Sequence, residues 1–217
     1  MRIITILGSC RQDSIYNSHD VTSVKNEISY PHYTKEILEV IRFCKYGTMT
    51  PDETVYTLRS AILANQPIIH NRYIADEFNS SELYFVEIAS RKTYKYKNRY
   101  VHHILNDHQI RSDVEVGSMS DEEIESDILE IIQELGREKT IIVGHIVTRD
   151  SGIRYELLKL LERICTKYNI AFLNPVEQLM KKGHNIQALL LDNAHYNDKG
   201  HSLIREIYDD YVRRGTS

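Results

Sequence analysis

Short apolar runs alternate with amphipathic stretches along this chain. Ile3-Ile4-Thr5-Ile6-Leu7 is mostly β-branched, too short for a helix and closed by Gly8, which predicts a buried strand. Leu83–Ile88, Thr140–Val143 and Ile170–Leu173 repeat that pattern, and Gly144 stops the third of the four runs. The stretches between them have helical spacing. Thr34 is placed to cap a helix running to about Tyr46, where Gly47 can end it. Thr50-Pro51-Asp52-Glu53 is a capping box with proline at the first helical position, opening a helix to about Ala64. Ser120-Asp121-Glu122-Glu123 is another, leading to about Leu135. Leu157, Leu158, Leu161 and Ile164 give a helical stripe to Arg154–Lys167, and Leu203–Val212 reads as a closing helix. Strands alternating with helices predict an α/β fold with a mostly parallel sheet covered on both faces. Ligands of such sheets bind beyond the carboxyl ends of the strands, and the turn Gly8-Ser9-Cys10-Arg11 stands at one of those ends.

The segment Lys92–His108 resists a single reading. Lys92, Lys95, Lys97 and Arg99 interleave with Tyr94, Tyr96 and Tyr100, as in an exposed edge strand guarded by lysines. The same alternation would also serve as a basic, aromatic face for a nucleotide or sugar. His102-His103 and His108 raise the question of a metal, but their spacing fits no specific site, and no metal is expected.

Composition narrows the function classes. The chain has 217 residues, without repeats or a Pro/Gly-rich linker, and reads as one domain over 1–217. A net charge of −4 argues against a general nucleic-acid binder. No stretch is long and apolar enough for a membrane span. The opening apolar run is too short for a signal peptide. The cysteines, Cys10, Cys44 and Cys165, are odd in number and match no zinc pattern, as free thiols in a reducing compartment would. Cys44 and Cys165 fall on apolar helix faces and read as core. A cytoplasmic protein is the expectation.

Two motifs carry candidate chemistry. In Gly8-Ser9-Cys10-Arg11 a nucleophile sits on the turn after a strand, where backbone N–H groups can stabilise an oxyanion. In Asp192-Asn193-Ala194-His195-Tyr196-Asn197-Asp198-Lys199-Gly200-His201, Asp192 and His195 stand three residues apart before the last helix. That spacing suits an orienter and a base: the carboxylate fixes the imidazole tautomer while the imidazole takes a proton from a nucleophile.

Together the motifs resemble the SGNH (GDSL-like) hydrolase and transferase superfamily, with its Gly-Asp-Ser after the first strand and Asp-x-x-His before the last helix. The resemblance implies a three-layer α/β/α sandwich of flavodoxin-like type. Laid on Gly-Asp-Ser, this chain puts Cys10 at the nucleophile position, with Ser9 as the fallback. In that respect it is similar to the GSCFA branch and to capsule-biosynthesis acetyltransferases bearing Gly-Asn-Cys. The superfamily's oxyanion donors have no clean counterpart; Ser90 and His145, after the second and third of the four runs, hold the corresponding positions. Arg11 is a candidate for an anionic donor, and His32 and Lys35 for phosphate or a substrate hydroxyl near a helix start.

A thiolate paired with histidine is a strong nucleophile, and loading it from acyl-CoA exchanges one thioester for another. The expected function is therefore acetyl transfer from acetyl-CoA, as co-substrate, to a sugar or nucleotide-sugar in glycan assembly. A carbohydrate esterase of the same fold, with water as acceptor, uses the same residues. A non-catalytic sugar- or nucleotide-binding domain is the rival from another class. The sequence leaves the acceptor, the acyl chain and the oligomeric state open.

Overall fold

A computed structural model describes residues 3–12, 15, 20–21, 24–107, 112–192 and 195–214. In chain order the elements are β1 (Ile3–Leu7), β2 (Asp20–Val21), α1 (Lys25–Ile28), α2 (Thr34–Tyr46), α3 (Pro51–Thr57), α4 (Arg59–Ala64) and α5 (Arg72–Asn79). Next come β3 (Leu83–Ile88), β4 (Lys92–Tyr96), β5 (Arg99–Tyr100), α6 (Ile104–Asp107), β6 (Glu115–Ser118) and α7 (Asp121–Leu135). The chain continues through β7 (Thr140–Gly144), α8 (Ile153–Tyr168), β8 (Ala171–Leu173), α9 (Pro175–Lys181) and α10 (Asp198–Arg214).

The main sheet has five strands in the order β2-β1-β3-β7-β8, and every pairing in it is parallel. This is the flavodoxin-like strand order. β3 and β7 are buried along their whole length, which is why they read as unbroken apolar runs rather than alternating ones. Two separate apolar cores lie on the two faces. One gathers Ile37 and Ile41 of α2, Ile128 and Ile131 of α7 and Leu161 of α8; the other gathers Leu179 of α9 and Ile204, Ile207 and Tyr208 of α10. The result is the α/β/α sandwich expected, with all four strands predicted from apolar runs in one sheet. Cys44 and Cys165 are core residues.

Local expectations were corrected in three places. Thr34 is the first residue of α2 and does not cap it; its hydroxyl is drawn instead to Asp127 Oδ2 on α7, 2.5 Å away. Glu36 takes over at that end, accepting the His32 N–H at 2.8 Å. The helix opened by the Thr50 box breaks at Leu58, whose extended backbone (ψ 130°) separates α3 from α4. The break frees the Thr57 carbonyl to accept the His102 N–H, 3.2 Å away. Finally, Lys92–Tyr96 is not an edge. It is the middle strand of a second, antiparallel sheet in the order β5-β4-β6. β4 and β5 meet at a tight turn in which Lys97 and Asn98 both have positive φ (47° and 66°), the mirror-image hairpin turn that matches strand twist.

Candidate functional site

The site begins where β1 ends. After Leu7 the chain passes through Gly8 and Ser9 into a 3-10 turn, Cys10–Gln12. A side chain at Gly8 would put its Cβ 2.8 Å from Glu87 Cβ, so glycine lets this turn settle directly on β3. Glu87 receives it: Oε2 accepts the Ser9 N–H at 2.8 Å and the Ser9 hydroxyl at 2.6 Å. Arg11 donates to Ser9 Oγ at 2.7 Å and stands 3.9 Å from Glu87 Oε1. The same Oε1 faces His145 Nδ1 at 3.3 Å. Tyr208 of α10 donates to Gln12 Oε1 at 2.8 Å and pins the far end of the turn. Ser9, Glu87 and His145 are all buried.

The charges in this cluster are interdependent. Burial pushes the Glu87 carboxyl up, but the bond and charge of His145, the Arg11 guanidinium and the Ser9 hydroxyl outweigh it and hold Glu87 ionised, at about 2. Burial pushes His145 below the usual imidazole range, with Glu87 opposing. A carboxylate facing Nδ1 selects the tautomer with hydrogen on Nδ1. The neutral ring then presents Nε2 as an acceptor, and that atom is buried without a protein partner among the described residues. His145 is thus built to receive a proton or hydroxyl, and serves an oxyanion only in its protonated form. Ser9 is equally committed: its hydroxyl proton goes to Glu87 and its oxygen accepts from Arg11.

A cavity of about 680 Å³ opens over this cluster. Of the residues picked out in the sequence, Arg11, His32, Ser90 and His145 line it together, joined by Lys92, Tyr94 and His103. Its floor is the carboxyl edge of the main sheet; Tyr94, Val116 and Gly117 of the small sheet form one wall. Ser90 also accepts the Lys92 N–H at 2.9 Å, closing the turn into β4. His32 packs its ring against His103 and His102, with centroids 4.5 and 5.1 Å away. Burial and the neighbouring His103 press its pKa down to about 3. These three histidines offer ring nitrogens within 4.8 Å of one another, the spacing of a metal-ligand set. The donor chemistry does not fit one. His102 Nδ1 accepts the Ile104 N–H at 3.2 Å and its Nε2 faces the Tyr30 carbonyl at 3.1 Å, so both nitrogens are engaged by backbone. His108 lies outside the described residues.

Lys35 is not brought to the cavity. It sits on the side of α2 that packs on α7, with Nζ 3.3 Å from Glu123 and 3.5 Å from Asp127, and works as a cross-helix ion pair. Cys10 is a half-buried thiol on the 3-10 turn, outside any disulfide. The Asp192–His195 pair is formed: His195 Nδ1 lies 2.8 Å from Asp192 Oδ2, and the His195 N–H donates to Oδ1 at 2.8 Å. Nε2 is left as the nitrogen open to chemistry. Both side chains are exposed, and neither lines the cavity. The run that follows is a built helix start. Asn197 Oδ1 accepts the Gly200 N–H at 3.0 Å, and Asn197 Nδ2 donates to the Ala188 carbonyl at 3.0 Å. Any Cβ at Gly200 would collide with the Leu189 carbonyl, which accounts for glycine there.

Glu87 is the residue that motif reading missed. Its signal was present: it is the one acid inside the buried run Leu83–Ile88, where an unpaired charge would be prohibitive.

No family model matches this chain. Its structure aligns over 99% of its length with 97% of a lipase/acylhydrolase from Enterococcus faecalis, at 13% identity and a TM-score of 0.51. The chain shares the fold of that lipase/acylhydrolase. An acetylxylan esterase from Geobacillus stearothermophilus aligns over 97% of the chain and 94% of its own, at 9% identity and a TM-score of 0.45. In sequence, an alignment of 116 positions that covers 49% of the chain is 31% identical to the Vi polysaccharide biosynthesis protein TviD of Salmonella typhi. The match spans only 14% of that much longer protein. Among the described residues, no helix is long and apolar enough to cross a membrane.

Proposed function

We propose that this SGNH-fold chain is an acyl-handling enzyme that transfers an acetyl group from acetyl-CoA to a sugar in glycan assembly. The observation that carries the reading is the formed Asp192–His195 pair. Its carboxylate holds Nδ1 and leaves Nε2 open, as a base for a nucleophile requires. The committed hydroxyl of Ser9 supports Cys10 as that nucleophile. The sequence match to a polysaccharide biosynthesis protein supports a glycan acceptor.

In this reading the Cys10 thiol gives its proton to His195 Nε2, and the thiolate attacks the acetyl carbonyl of the donor. The bond to the CoA sulfur breaks, and that sulfur takes the proton back from the imidazolium. An acceptor hydroxyl then attacks the Cys10 thioester, its proton passing to a base as the carbon–sulfur bond breaks. Exchanging thioester for thioester in the first half costs little free energy. With water as acceptor the same residues give an esterase, a reading favoured by the acylhydrolase fold.

Incubation with labelled acetyl-CoA and a panel of sugars separates the two. Label on a sugar, lost in Cys10→Ala, supports transfer; release of acetate from acetylated sugars alone supports hydrolysis. A Cys10 thiol whose alkylation rate does not depend on His195 would sink both.

A further inference from the structure

The cavity is lined asymmetrically in charge. Arg11, Arg91, Lys92 and Arg154 contribute cations to it, and no Asp or Glu is among the described lining residues. Two of the cations are already engaged: Arg11 by Ser9 and Glu87, and Arg91 by Asp121 at 2.6 Å. Lys92 and Arg154 are different. They line the cavity from β4 and from the start of α8, both are exposed, and neither makes an ion pair among the described residues. A second observation concerns the interior. His145 Nε2 and His32 Nδ1 are buried without partners, on rings that line the same cavity. Buried polar atoms are rarely left unpaired in a folded protein, so a polar ligand or water is required at both. The Tyr94 ring adds an aromatic surface of the kind that sugar rings and bases rest on.

We infer that the cavity is a subsite for a ligand bearing a carboxylate or phosphate group. The anion is recognised by Lys92 and Arg154, and a ligand hydroxyl donates to His145 Nε2. The inference deepens the acyl-transfer reading, on which it rests for the cavity's place in the reaction. Binding itself needs neither Cys10 nor His195. Two sources supply this chemistry: an acidic sugar as acceptor, or the phosphates of a CoA donor. An exposed cation pair discriminates little between the two anions, so matched probes must separate them.

The test is calorimetric titration of the intact protein at low salt with two pairs, oligoglucuronate against the neutral oligoglucoside, and CoA against pantetheine. An anionic probe should bind at least tenfold more tightly than its neutral partner. The advantage should shrink as salt is raised and fall severalfold or more in K92Q/R154Q. Both residues are exposed, so the folded state of that variant is checked directly by its melting temperature. Discrimination within the sugar pair alone assigns the anion to the acceptor, and within the CoA pair alone to the donor. Equal binding of charged and neutral members in both pairs overturns the inference, as does discrimination that survives in K92Q/R154Q. An inert Cys10 would sink acyl transfer and leave this result standing.

Discussion

Glu87→Gln probes the electrostatics of the buried cluster, because the side chain keeps its shape, loses its charge and exchanges one acceptor oxygen for an amide donor. In the folded protein the carboxylate is held at about 2, against an ordinary 4.5. Each tenfold weakening of proton binding corresponds to about 1.4 kcal/mol, so the ionised group contributes on the order of 3 kcal/mol. The figure agrees with the cost of removing one partner from a buried pair, about 3–5 kcal/mol. For a chain of this length that lowers Tm by about 6–12 °C. The pH dependence has a definite sign. A carboxylate that binds its proton more weakly when folded stabilises fully above its unfolded value, and the stabilisation is lost as pH falls through the folded value. The gap between wild type and E87Q should therefore be widest at neutral pH and close between about pH 5 and pH 2. Urea unfolding of both proteins across that range measures it, with an unchanged m-value confirming that the transition itself is the same. The variant should also alter His145, since an amide N–H toward Nδ1 moves the ring hydrogen to Nε2, visible in imidazole nitrogen shifts. Equal stability of the two proteins at pH 7, or a gap that persists to pH 2 undiminished, would refute the account of Glu87 as an ionised hub.

Other outcomes follow from the same geometry. Cys10→Ala should lower acetyl transfer roughly a thousandfold or more, while Ser9→Ala should cost about 1–2 kcal/mol of stability in urea and keep much of the activity. The reverse pattern would make Ser9 the nucleophile. Iodoacetamide should modify Cys10 first in the folded protein, since burial pushes the Cys165 thiol up to about 12 and the Cys44 thiol higher still; peptide mapping reads this directly. Lys35→Ala should cost about 1 kcal/mol and leave glucuronate and CoA affinities unchanged, and a selective loss of affinity would return Lys35 to the ligand site.

Much of the fold was legible because buried parallel strands advertise themselves as apolar runs, as Leu83–Ile88 and Thr140–Gly144 do. What stayed hidden was set by partners far away in sequence. The start of α2 depends on Asp127, which takes the Thr34 hydroxyl that would otherwise cap the helix. The break at Leu58 depends on His102. The hairpin after Tyr96 uses Lys97 and Asn98 at positive φ in place of the Asn-Gly pair that would have announced it. At the site, the Asp192–His195 pair is local and was readable from spacing, whereas the Ser9–Glu87–His145 network joins three strand ends and required the sheet order.

The division of the cavity between two sheets has a consequence for how such a protein can change over generations. Its floor belongs to the parallel sheet and rests on the buried Ser9–Glu87–His145 network. The wall belongs to the small sheet, whose inner strands are tied to the body by the buried side chains of Tyr96 and Val101, packed with Ile62, and by the Tyr33 hydroxyl, which donates to the Val101 carbonyl at 2.7 Å. β6, at the small sheet's margin, is exposed along its whole length and contributes little to folding stability. Mutations in β6 thus disturb the scaffold little while falling directly on the selectivity of the pocket. Descendants of one ancestor can diversify their taste in ligands at this margin and inherit the reactive end of the sheet unaltered, and exchanging the 115–118 segment between relatives is the graft that would reveal it.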